Sequence, residues 1–86
     1  MSIKPAPRTV EPLVEAFATV LRRRRLAQDL SQEALARRAD VSMRFVSLLA
    51  LGRHMPTINT MQKLAKGMGE PLSDLVREAE EEPAQE

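Results

Sequence analysis

Few residues in this 86-residue chain can do covalent chemistry, and they are unevenly placed. His54 is the single histidine and there is no cysteine. A thiolate nucleophile and a disulfide framework are therefore excluded, and no run of residues has metal-ligand spacing. A serine triad would need His54 held between a fixed acid and an activated hydroxyl, and nothing in the sequence suggests one. Gly67-Met68-Gly69 carries part of a glycine-rich phosphate loop, but no strand precedes it and neither a third glycine nor a Lys-Ser/Thr pair follows, so it reads as a helix terminator. The sequence thus predicts no enzyme, no metal and no cofactor. What remains is the chemistry of guanidinium, amide and hydroxyl groups.

Charge gives those groups a direction. Residues 1 to 69 hold 12 Lys and Arg against 5 Asp and Glu, a balance of +7. From Glu70 to Glu86 only Arg77 stands against seven acids, a balance of −6, so the overall +1 hides a basic body and an acidic tail. A basic body attracts polyanions. The run Arg22-Arg23-Arg24-Arg25 is the densest basic feature, yet four consecutive helical residues point in four directions and cannot form one patch. No apolar run reaches the ~20 residues that cross a bilayer, and Met1 to Val10 lacks the apolar centre of a signal peptide. The expectation is a cytoplasmic protein with no membrane partner.

The elements that must position these groups follow from periodicity. Pro5 and Pro7 make residues 1 to 10 an extended arm. The folded domain spans 11 to 79, and residues 80 to 86 form a disordered acidic tail. Within the domain Leu13, Phe17, Val20 and Leu21 recur at helical spacing, opened by Pro12 and ending near Gln28-Asp29. Ser31 caps a second, short helix to about Arg38, and Ser42 caps a third that Gly52 stops. Pro56 and Thr57 begin a fourth with the stripe Ile58, Met61, Leu64, Ala65 and Met68. Pro71 opens a fifth with Leu72, Leu75 and Val76 inward. Five short helices leave no room for a sheet, so the fold class is all-α.

Gln32 to Gly52 is the informative unit. Two short helices joined by about three residues cross at a large angle only if the crossing residue is small and the turn supplies an apolar plug, roles that Ala36 and Val41 fit. Val46 and Leu49 then seat the third helix on the domain. Met43, Arg44, Ser47 and Leu48 are left on its outer side, although Leu48 can equally be core.

These residues resemble the helix-turn-helix regulators similar to phage Cro and repressor N-terminal domains, the XRE family. The resemblance covers about residues 14 to 77. It rests on Leu21-Arg22 with Arg25, the segment Leu30-Ser31-Gln32-Glu33-Ala34-Leu35-Ala36, Val41-Ser42, Phe45-Val46-Ser47-Leu48-Leu49, Gly52-Arg53-His54-Met55-Pro56-Thr57, and Leu64-Ala65 leading to Gly69 and Leu75. It implies a five-helix, lambda-repressor-like DNA-binding domain with a central helix-turn-helix. Its third helix would lie in the major groove of double-stranded DNA, usually as a homodimer on a palindromic operator.

The base-edge candidates are then Met43, Arg44, Ser47 and Leu48. Arg44 can place two parallel donors on guanine O6 and N7, Ser47 can donate to any edge, and Leu48 can meet a thymine methyl. The phosphate candidates are Gln32, Ser42, Arg53, His54, Thr57, Asn59 and Thr60, where helix-start N–H groups, amides and hydroxyls suit phosphate oxygens. Two departures from the family stand out. Its members commonly pair the arginine at position 25 with a glutamate at the position held here by Ala50, so Arg25 must turn to water or find another acceptor. Asp40 stands where the family usually has glycine, in a turn that needs left-handed geometry. Leu48, Leu51 and Met55 leave open a protein-interaction module on the same scaffold, antitoxin-like or corepressor-binding. No domain for a small-molecule ligand is evident.

Overall fold

Hydroxyl caps set three helix starts. The computed structural model describes residues 12–52 and 54–82, and the expected N-terminal arm lies outside them. Helix α1 runs Pro12–Ala27, α2 Gln32–Ala39, α3 Met43–Ala50, α4 Ile58–Gly67 and α5 Leu72–Glu81, with no strand among the described residues. Ser31, Ser42 and Thr57 each accept from the backbone N–H three residues on, at Ala34, Phe45 and Thr60. These bonds satisfy one of the orphan donors at each start, worth ~1 kcal/mol apiece. Pro71 precedes α5 without a side-chain cap. Its fixed φ and the carboxylate of Asp74 in the first turn take that role.

Helix ends use left-handed residues. Asp40 closes α2 at φ 59°, its N–H donating to the carbonyls of Ala36 and Arg37, so the turn survives without glycine as expected. Asp29 makes the same excursion at φ 57° after α1. Gly69 does so after α4.

The core draws one completely buried residue from each helix: Val20, Leu35, Leu49, Leu64 and Leu75. Around them pack Phe17, Leu21, Ala36, Val46 and Met68, with Val41 partly buried as the plug of the α2–α3 turn. α1 lies on α5, and α2 is gripped between α3 and α4. A methyl group on Gly67 would come 3.2 Å from the Cβ and backbone N of Ala39. The glycine therefore permits the close approach of α2 and α4, and Gly69, not Gly67, terminates the helix.

Three expectations are corrected. Ile58, expected in the apolar stripe of α4, is 69% exposed at the first residue of the helix. Leu13 is likewise half exposed at the start of α1. The domain does not fray after Ala79: α5 continues to Glu81, and Glu82 is bound to Arg23. Residues 80–82 are thus part of the folded unit, while the rest of the expected acidic tail lies outside the described residues.

Candidate nucleic-acid interface

α3 owes its orientation to Val46 and Leu49, which are buried against α1 and the core. Its other side is open. Met43 is 52% exposed, Arg44 is exposed, and Ser47 and Leu48 are half-buried at the border. Among the described residues Arg44 enters no ion pair, so its five donors remain available. Leu48 is neither core nor fully presented, which leaves both of its expected roles geometrically possible.

The phosphate candidates fall into two groups. The hydroxyls of Ser42 and Thr57 accept from backbone N–H groups, and Thr57 also shares a hydrogen bond with Thr60 at 3.0 Å. These side chains are ordered by their own helix ends. Asn59 is exposed beside them. His54 is not a freely solvated loop residue: its ring meets that of Phe45 edge-on, with centroids 4.5 Å apart and planes at 86°. That contact brings His54 against α3. Arg53 lies outside the described residues.

Gln32, the first residue of α2, is half-buried and lines a cleft between α1 and α3 together with Arg22, Arg25 and Ala50. Arg25 has found another acceptor, as anticipated. Its Nη1 donates to the carbonyl of Leu30 at 2.7 Å.

Sequence reasoning missed the fate of the arginine run. Nη2 of Arg23 donates to Glu78 at 2.6 Å and to Glu82 at 2.7 Å. Arg24 binds Glu78 through Nε at 2.9 Å and also pairs with Glu70. The hydrogen bonds from Arg24 and then Arg23 hold the Glu78 carboxyl below the usual glutamate range, and Arg23 does the same to Glu82. Of the residues expected in the disordered tail, Glu82 pairs with Arg23, and together with Glu70 and Glu78 of the domain it supplies the counter-charge of α1. Only the split of charge along the chain pointed to it.

The described geometry defines a class of protein: five helices around a helix-turn-helix, with an anchored third helix that presents an uncompensated arginine. The helix-turn-helix family profile HTH_3 matches residues 21–75. The chain belongs to this XRE-type family of DNA-binding transcriptional regulators and is not an enzyme. No protein of curated function matches it in sequence. Among solved structures it is similar to the clp gene regulator ClgR from Corynebacterium glutamicum, at 25% identity and TM-score 0.76, covering 87% of this chain and 78% of that one. It is also similar to the restriction-modification controller protein C.AhdI from Aeromonas hydrophila, at 27% identity and TM-score 0.69, covering 72% and 94%. The controller protein C.Esp1396I, a tetramer in complex with its natural 35-base-pair operator, shares the fold at 20% identity and TM-score 0.73, covering 81% and 97%. No described helix is long and apolar enough to cross a membrane.

Proposed function

We propose that this protein binds double-stranded DNA sequence-specifically, as a homodimer on a palindromic operator, with α3 in the major groove. The observation that carries the reading is the two-sidedness of α3: Val46 and Leu49 buried, Met43 and Arg44 exposed, and no acid on Arg44 among the described residues. Arg44 reads guanine, Met43, Ser47 and Leu48 contact neighbouring edges, and Gln32, Ser42, Arg53, His54, Thr57, Asn59 and Thr60 position the backbone. Support comes from the same fold in C.Esp1396I, which is held as a tetramer on its operator. A homodimer follows from size, because one reading head spans too few base pairs for much discrimination. Leu72 and Val76 of α5 are half-buried and still offer an edge to a second copy. Regulation then follows protein concentration, through dimerisation and cooperative operator occupancy.

Selection of bound duplexes from a random pool tests the reading. The expected product is a two-fold symmetric consensus with half-sites about one helical turn apart. Arg44→Ala should lose roughly 1 to 3 kcal/mol of discrimination at one base pair of each half-site. Two exposed apolar side chains favour a second reading, a protein-interaction module: Leu51 at 67% and Met55 at 52%. Duplex affinity independent of salt, with intact binding to a protein partner, would establish that reading and reject the first.

A further inference from the structure

Sulfur is confined to methionine in this chain, which has five methionines and no cysteine. Exposure sorts them. Met68 is 4% exposed and Met61 packs partly buried against the core, whereas Met43 and Met55 are each 52% exposed. Met1 lies outside the described residues. Oxidation of a thioether follows exposure, and the two that an oxidant reaches flank α3. Met43 is the first residue of that helix, and Met55 comes four residues after its cap, Leu51. Their placement differs in one respect. The first residues of a recognition helix are the ones that meet base edges, and Met43 shares its side of α3 with Ser47, four residues on. Met55 stands beyond the helix.

We propose that Met43 is an oxidation-sensitive reading residue, whose conversion to the sulfoxide by a hydroperoxide weakens operator binding and changes the base read beside Arg44. The proposal rests on the DNA-binding reading. In the step, the methionine sulfur attacks the terminal oxygen of the hydroperoxide. An S–O bond forms and the O–O bond breaks. Sulfur is oxidised by two electrons, and the leaving oxygen takes the proton from the transferred one and departs as water or an alcohol. Sulfoxide reductases reverse the change.

The groove makes this single oxygen count. As a thioether, Met43 offers an apolar, polarisable surface, and the one apolar feature among major-groove base edges is the thymine methyl. The sulfoxide adds a strong acceptor and no donor. Purine N7, guanine O6 and thymine O4 are acceptors as well, and only the amino groups of cytosine and adenine donate. An acceptor pressed against a methyl or another acceptor loses water without replacement, so binding at thymine weakens about tenfold. Any Arg44 N–H that turned to the new oxygen would be lost to guanine, so the neighbouring residue offers no escape.

The test oxidises the full chain with dilute hydrogen peroxide and follows each methionine by peptide mass mapping. Met43 and Met55 should convert together, well ahead of Met68. Affinity for the operator selected from a random pool should fall about tenfold in step with Met43 oxidation, with no fall in melting temperature. Methionine sulfoxide reductase should restore it. Whatever its own starting affinity, Met43→Leu should lose none to peroxide, while Met55→Leu should show the full loss. A second selection, with the oxidised protein, should move the position beside the Arg44 guanine from thymine to cytosine or adenine. Unchanged affinity and base preference with Met43 fully oxidised would overturn the switch. An equal loss in Met43→Leu would also overturn it, by placing the sensitive sulfur elsewhere, as would a Met43 that converts no faster than Met68. Absence of duplex binding by the untreated protein rejects the proposed function and the switch with it, whereas duplex binding indifferent to Met43 oxidation rejects the switch alone.

Discussion

Asp40 holds a left-handed backbone where a side chain ordinarily costs 1–2 kcal/mol, a penalty that aspartate reduces by local hydrogen bonding. Asp40→Gly should therefore stabilise the domain by about 0.5–1 kcal/mol, because the relief of strain exceeds the added entropy of the unfolded chain. That corresponds to a rise of several degrees in melting temperature for a domain of this size. Asp40→Val, branched at Cβ, should fall by more than the glycine gains. Calorimetry that ranked glycine below aspartate would show that the carboxylate does more than tolerate the turn. This residue was legible in the sequence, since the helix-turn-helix spacing marks the position that must turn left. Arg25 was half legible: the missing carboxylate at Ala50 said that it needed a new partner, but the Leu30 carbonyl could be found only once α1 had a defined end.

Between elements, α1 and α5 are joined by an electrostatic clasp as well as by the apolar contact through Leu75 and Ala79. Arg23 and Arg24 bridge to Glu70, Glu78 and Glu82, and Gln28 adds a hydrogen bond to the Met68 carbonyl at 3.0 Å. The clasp has a definite pH dependence. Arginine hydrogen bonds hold Glu78 and Glu82 below the ordinary glutamate range, so both bind protons less readily folded than unfolded. Their contribution is complete above the unfolded glutamate value of ~4.3 and disappears as pH falls through the folded values. Melting temperature should be flat from neutral pH down to about 5 and drop below about 4. Glu78→Gln should lower the plateau and make the acid limb shallower. An unchanged acid limb in that variant would assign the acid loss to other carboxylates. Helix periodicity made the five elements legible, along with most of their buried stripes. The clasp was not, because its partners lie 46 to 59 residues apart and only a packed α1–α5 pair sets their register.

For the whole molecule, the clasp changes which charges meet DNA. Counted along the sequence, the arginine run looks like the strongest nucleic-acid signal, whereas in the fold its two middle members already face carboxylates. A cation holding an acid releases few counterions when DNA arrives, so it adds little to the salt dependence of binding. The double variant Arg23→Gln/Glu82→Gln removes one charge of each sign from the clasp. It should melt at a lower temperature, yet bind duplex with unchanged affinity and an unchanged slope against log salt when measured where it is folded. Arg53→Gln removes a single charge from a proposed phosphate contact and should flatten that slope. Titrating both variants over a range of salt concentrations compares a clasped arginine with a proposed phosphate contact directly. If the double variant lost slope as Arg53→Gln does, α5 would have to release Arg23 on binding, and the acidic segment would be a competitor of DNA instead of a brace for the fold.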